Sequence, residues 1–268
     1  MELYELKCPE YGIVIKEHKD SRGRYYACVI PEYDRPVIDI PEEVSQKRIA
    51  ALECYKLHSS VRKIRLSKAV EKVRFIGKEM RGRFLELEID KENPHIFTDG
   101  KAVFTKNDEL TLFFAGGCTS YEIPAGTRVI KNDAFGFSPN IRHIRLPQGV
   151  ETIEAFAFCD ITALRDINIP EGIRTLEKSV FSGCGKLEML HLPSSVEEIG
   201  DLAFPNTGAF REITVDAENP YYTAENGVLY SKDKTRLIFA PPKAVGKRFA
   251  VPDFVKTIGG SAFEGLNL

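Results

Sequence analysis

The side chains best suited to metal binding or nucleophilic chemistry in this chain are five histidines and six cysteines. Neither set is spaced for it. His18, His58, His95, His143 and His191 never fall at metal-ligand intervals. Cys8, Cys28, Cys54, Cys118, Cys159 and Cys184 contain no Cys-x-x-Cys. G-x-G-x-x-G, P-loop, G-x-S-x-G, H-E-x-x-H and calcium-loop patterns are all absent. Irregular spacing argues for buried thiols over a disulfide framework, since unpaired cysteine often serves as a small core hydrophobe. The sequence therefore reads as non-catalytic, with no cofactor. The remaining chemistry is recognition by charge and shape, and two groups of cations are candidates. One is Arg142, His143, Arg145 and Arg165, with Asp166, Asn168, Met189 and His191. The other is Arg62, Lys63 and Arg65, within the basic segment 47–83.

What positions these residues is a repeat. Ile123-Pro124, Leu146-Pro147, Ile169-Pro170 and Leu192-Pro193 recur at 23-residue steps. Each anchor is followed by an aliphatic residue or Thr at +4, an aliphatic at +7, and a small-aromatic pair at +11 and +12. The pairs are Ala134-Phe135, Ala157-Phe158, Val180-Phe181 and Ala203-Phe204. A fixed period in the twenties marks a solenoid, in which each unit buries its apolar face only against its neighbours. Six residues ending on each anchor read apolar-x-x-apolar-x-apolar, as in Ile141 to Leu146 and Leu187 to Leu192. Alternation over the last three turns the apolar residues inward and leaves the others on a strand face. Proline after the anchor cannot donate to a ladder and ends the strand.

Earlier repeats are degenerate. Ile40 and Leu66 are anchors 26 residues apart, and Ile89 follows after 23. Gly77-Lys78 stands where a small-aromatic pair is expected, with Phe75 and Ile76 supplying the burial. The steps from Ile89 to Ile123 and from Val215 to Val251 are 34 and 36 residues. Both carry a matched insert, at about 90–122 and 216–250, in which Asn93-Pro94 corresponds to Asn219-Pro220. Each reads as a β-hairpin. Residues 11–17 and 24–30 read as a further hairpin, giving a cap at 1–37 ahead of a solenoid at 38–268.

The unit of strand, Pro, V-x-x-I and Ala-Phe resembles the BspA-like leucine-rich repeat family of bacterial proteins. Phe181-Ser182-Gly183-Cys184 and the insert at 219–233 carry the likeness most closely. The resemblance implies a β-rich α/β solenoid, a right-handed coil or horseshoe with short helical or 3-10 turns. It further implies surface exposure and adhesion to host proteins.

On a horseshoe the face positions form ladders. The column before each anchor includes Arg65, Glu88, Glu122, Arg145, Asn168 and His191; the column two residues earlier includes Lys63, Glu86, His143, Asp166 and Met189. Arg65 with Glu88, Lys63 with Glu86 and Glu122 with Arg145 are predicted lateral ion pairs, each contributing under about 1 kcal/mol. Arg and Met are types favoured at interfaces, so the group from Arg142 to His191 is the candidate binding site for a protein or peptide. Residues 47–83 carry 12 Lys and Arg against three Glu, while the whole chain is −2. That segment is the alternative, a contact for nucleic acid or another anionic partner. Repeat phasing spreads it around the coil, so a solvated face, or contact with the acidic run at 86–92, is the expected arrangement. Nucleic acid is accordingly the less favoured partner.

No apolar run approaches the roughly 18 residues of a membrane span. The N-terminus has neither the basic nor the apolar region of a secretory signal, which favours the cytoplasm, or the cell surface if a signal has been removed. An open final coil at Gly265 to Leu268 predicts end-to-end pairing of two copies.

Overall fold

In the computed structural model, the described residues are 5–9, 11–20, 23–29, 34–55, 57–76, 85–136, 138–246 and 248–266. They fall into two compact units, Met1–Gly117 and Cys118–Leu268. Each is a stretch of β-solenoid.

The first unit begins with three antiparallel strands, Glu5–Cys8, Ile13–Asp20 and Gly23–Val29. The expected hairpin is thus a meander. Its extra strand is the short alternating run Glu-Leu-Lys-Cys, returned by a turn in which Gly12 takes φ 71°. The third strand then runs parallel to Lys47–Cys54, from Tyr26 opposite Ile49 to Val29 opposite Glu53, and Lys47–Cys54 pairs in turn with Lys72–Phe75. The meander is therefore hydrogen-bonded directly onto the first coils. Val37–Ile40, Lys63–Leu66 and Glu86–Ile89 form a parallel column, with Ile38, Ile64 and Leu87 in register and buried. Phe75 is buried, as the degenerate repeat requires. Gly77 and Lys78 lie outside the described residues.

In the second unit the anchor strands are Ser120–Glu122, His143–Arg145, Asp166–Ile167, Met189–Leu192 and Glu212–Val215. Within 118–199 a second parallel column holds the +7 aliphatics: Val129–Ile130 with Thr152–Ile153, and Thr175–Leu176 with Glu198–Ile199. V-x-x-I is therefore strand, because its main chain bonds the neighbouring coil. Glu151 N donates to Arg128 O at 2.8 Å and Glu154 N to Ile130 O at 2.9 Å.

The third side is made of turns. Asp133, Phe156, Ser179 and Leu202 recur every 23 residues, immediately before the small-aromatic pair, each with φ between 56° and 60°. Left-handed backbone costs a non-glycine residue about 1–2 kcal/mol. Contacts between coils offset it: Phe158 N donates to Val180 O and Phe181 N to Ala203 O, at 3.1 and 3.0 Å. The Phe135, Phe158, Phe181 and Phe204 rings stack at centroid spacings of 5.2, 5.6 and 6.1 Å, all buried. Among the described residues one helix occurs, Pro242–Val245, outside the 23-residue units. The α component and the helical or 3-10 turns of the expected fold are thus replaced by short strands and β-turns.

Both inserts are three-stranded meanders and not simple hairpins. They comprise Ile96–Thr98, Ala102–Thr105 and Glu109–Phe113, and Tyr222–Glu225, Val228–Ser231 and Arg236–Phe239. Each opens on a buried asparagine that sequence reading matched but did not explain. The Asn219 Nδ2 donates to Pro193 O and Val196 O, both at 2.9 Å, and Oδ1 accepts from Tyr221 N and Tyr222 N at 2.9 and 2.8 Å. Asn93 makes the same four bonds, to Ser67 O, Val70 O, His95 N and Ile96 N. One amide side chain thereby fastens the insert to the coil before it. After the second insert Thr257–Ile258 pairs parallel with Arg236–Phe239. The anchor pattern at 248–251 forms no strand, and Val251 and Ile258 are exposed.

Candidate interaction surface

Arg142, His143, Arg145, Arg165, Asp166, Asn168, Met189 and His191 are brought together on one strand face of the second unit. The parallel register sets His143 beside Asp166, and Met189 beside Glu212. Proline behind each anchor and burial of Ile144, Ile167 and Leu190 hold the side chains between them outward. Most charges on this face are answered one coil away. Arg145 is ion-paired to Asp166, whose Oδ2 lies 3.9 Å from His143 Nδ1. Arg165 meets Glu188 at 3.2 Å, and Glu188 also meets Arg211 at 3.6 Å. The predicted Glu122 to Arg145 pair does not form, because the Arg145 guanidinium turns to the following coil. Asn168 is spent on structure: its amide accepts from Leu146 N at 2.8 Å and donates to Leu146 O at 3.0 Å, extending the ladder where the strand is only two residues long. His191 Nδ1 lies 3.0 Å from Thr214 Oγ1.

Arg142 makes no ion pair or side-chain hydrogen bond among the described residues, and it is exposed. Met189 is the exposed large apolar residue of the anchor strands, at 43% of its full accessibility, and its sulfur lies 3.2 Å from Arg211 Nη2. The face thus offers one uncommitted guanidinium, one apolar side chain and two imidazoles within a frame of paired charges.

The basic candidates are arranged otherwise. Lys63 Nζ sits 2.8 Å from Glu86 and 3.2 Å from Glu88, while Arg65 bridges Asp39 and Glu88 at 3.1 and 3.3 Å. Hydrogen bonds to Glu86 and Glu88 raise the Lys63 pKa, bonds to Asp39 and Glu88 raise that of Arg65, and bonds from Lys63 and Arg65 lower that of Glu88. The Arg62 guanidinium bonds the carbonyls of Ser59 and Val61. Lys56, Lys78, Glu79, Arg81 and Arg83 of the same segment lie outside the described residues.

Cys28 and Cys184 are buried, and burial raises both thiol pKa values well above the ordinary one, which makes them poor nucleophiles. Cys184 Sγ donates to Phe158 O at 3.1 Å. Among the described residues no three His, Cys, Asp or Glu side chains are grouped to hold a metal ion. One polar cluster escaped sequence reading. Glu53 is buried in a strand covered on both faces, where it accepts from Tyr55 Oη at 3.1 Å, with His18 Nε2 at 3.6 Å and Arg74 Nη1 at 3.9 Å. His18 and Arg74 come from two other strands, so no spacing could have signalled the group.

The stretch 110–225 matches the BspA type leucine rich repeat region, in six copies. That stretch is therefore a run of BspA-type leucine-rich repeats. Among solved structures it is similar to a leucine-rich repeat protein from Eubacterium ventriosum, at 14% identity and a TM-score of 0.58, covering 95% of this chain and 93% of that one. That likeness is one of fold. The pneumococcal vaccine antigen PcpA aligns at 15% identity over 96% of this chain and 93% of its own, with a TM-score of 0.48. A leucine rich cell surface protein from Faecalibacterium prausnitzii aligns at 16% identity over 97% and 73%, with a TM-score of 0.47. No curated protein sequence matches the chain. Among the described residues no helix is long and apolar enough to cross a membrane.

Proposed function

We propose that this protein is a non-catalytic interaction module that binds a protein or peptide through the strand face bearing Arg142, His143, Arg145, Arg165, Met189 and His191. The supporting observation is the uncommitted Arg142 guanidinium together with the exposed Met189 side chain, on a face whose other charges are mostly neutralised from coil to coil. Apolar area and a free guanidinium on a rigid frame suit recognition, since Arg and Met are enriched at interfaces and a pre-set frame lowers the ordering cost. An adhesive role, the division into a cap at 1–37 and repeats at 38–268, and end-to-end pairing of copies go with this reading as its less direct parts. Lys63 and Arg65 argue against nucleic acid as the partner, because both are already paired with carboxylates.

The test is a set of single substitutions, Arg142→Ala, Met189→Ala and His191→Ala, assayed against partner proteins at fixed salt. None of these side chains is buried, so the fold stays intact. Binding weakened by about tenfold or more at two of the three supports the face. Unchanged affinity at all three refutes it.

A further inference from the structure

One border of the strand face in the second unit carries more positive charge than its neighbours answer. Four residues before the successive anchors stand Thr119, Arg142, Arg165, Glu188 and Arg211. Main-chain bonds set them side by side: Arg142 N donates to Thr119 O, Arg165 N to Arg142 O and Arg211 N to Glu188 O, at 2.8, 2.8 and 2.9 Å. Three guanidinium groups therefore stand against one carboxylate. Glu188 lies 3.2 Å from Arg165 and 3.6 Å from Arg211, and so serves those two. Arg142 is left over, with Thr119 on the coil before it and a like charge, Arg165, on the coil after.

Carboxylates in the adjoining columns do not make up the difference. Asp166, on the next coil, is ion-paired to Arg145 and lies 3.9 Å from His143. On the coil before, Ser120 is in register with His143, and the exposed Thr119 and Ser120 hydroxyls make no hydrogen bond among the described residues. The acid of that coil, Glu122, stands three residues beyond Thr119, about 10 Å away at roughly 3.3 Å per residue. The register thus groups an exposed guanidinium and two hydroxyls that have no carboxylate among them.

A second feature lies at a fixed distance from this group. Met189, 43% exposed, occupies the same repeat position as His143 two coils further on. Parallel strands about 4.8 Å apart put it about 10 Å along the axis. A polyproline-II segment rises about 3.1 Å per residue with three residues per turn, so residues three apart lie on one face about 9 Å from each other. Such a segment, laid along the axis, presents one residue to Arg142 and the third one on to Met189.

We propose that the face takes an acidic peptide segment, with one Asp or Glu carboxylate on the Arg142 guanidinium and an apolar side chain three residues away on Met189. Arginine and carboxylate match in geometry as well as charge. Complementary charge of this kind sets which partner is chosen more than how tightly it is held. This deepens the interaction-module reading and rests on it, adding the chemical class of the partner and the line along which it lies.

The test uses the full chain and three capped synthetic probes: the peptide Pro-Leu-Pro-Pro-Glu-Pro-Pro-Leu-Pro, its Glu-to-Gln counterpart and its Leu-to-Ser counterpart. Leucine three residues to either side of the acid makes the probe indifferent to chain direction. NMR titration reads the affinity, the Arg142 side-chain Nε–H and the Met189 methyl. At low salt the Glu peptide should bind about fivefold more tightly than the Gln peptide, a margin that shrinks as salt is raised. The Ser peptide should leave the Met189 methyl unshifted. Arg142→Gln, a change at an exposed side chain, should erase the preference for Glu, and Arg142→Glu should reverse it. Equal binding of the Glu and Gln peptides, a preference that survives Arg142→Gln, shifts confined to other residues, or no binding of any probe overturns the proposal. If partner proteins still lose affinity with the alanine substitutions at Arg142, Met189 and His191 while no peptide discriminates, the acidic-peptide proposal alone fails. Unchanged partner affinity at all three removes the face reading itself.

Discussion

Replacing Asn219 with alanine isolates the device that fastens an insert to the solenoid. The side chain is fully buried and makes four hydrogen bonds of 2.8–2.9 Å, two donated to main-chain carbonyls of the preceding coil and two accepted from main-chain amides of the insert. Alanine leaves all four groups without that partner. Each buried polar group so orphaned costs about 1–3 kcal/mol, and water entering the vacated space recovers part of it. The expected loss is about 4 kcal/mol, a large share of a native stability of about 5–15 kcal/mol. In a chemical denaturation series Asn219→Ala should lower the midpoint accordingly, and exchange at the Tyr221 and Tyr222 amides should accelerate ahead of global unfolding. Asn93→Ala should do the same in the first insert, where the four partners are equivalent. A loss below about 1 kcal/mol with unaltered exchange at both tyrosines would show that the insert is held by its apolar contacts, and the reasoning would fail.

Phe158→Ala removes the ring between Phe135 and Phe181, and the cavity should cost about 3–5 kcal/mol in the same assay; an unchanged midpoint would contradict the inward stack. Gly183→Ala should destabilise by about 1–3 kcal/mol, because its φ is 74° and the added Cβ would come 2.2 Å from Asp160 Oδ1; a melt within error of the parent would count against that clash. Glu88, with its pKa lowered first by Lys63 and then by Arg65, stabilises the fold above its ordinary carboxylate pKa. That contribution disappears as pH falls through the depressed value. Glu88→Gln should therefore cost a little stability near neutrality and flatten the acid limb of stability against pH below about 4.5, the two chains converging in acid; an identical acid limb would show that the network is not felt.

The repeat was legible because burial is periodic. Residues from Ile123 to Phe204 place an apolar group at the same offsets every 23 positions, and the structure buries nearly all of them, Ile199 being half-buried. The second strand column was less so. V-x-x-I contributes only two residues per coil to a ladder, and its strand character comes from bonds to the neighbouring coil, which no local window contains. The meanders were read one strand short for a related reason: Tyr222–Glu225 is polar in sequence and only half-buried, so alternation is weak there. In the first unit, register predicted Lys63 beside Glu86 correctly. It missed Arg145 with Asp166, because a long guanidinium chooses among diagonal neighbours.

The most direct test of the interaction surface is site-specific photo-crosslinking. A crosslinking residue at Met189, on the strand face, is compared with one at Thr152, exposed on the second strand column. Covalent capture of a protein partner from Met189 and not from Thr152 is the predicted result. Equal capture from both, or capture from Thr152 alone, would contradict the account.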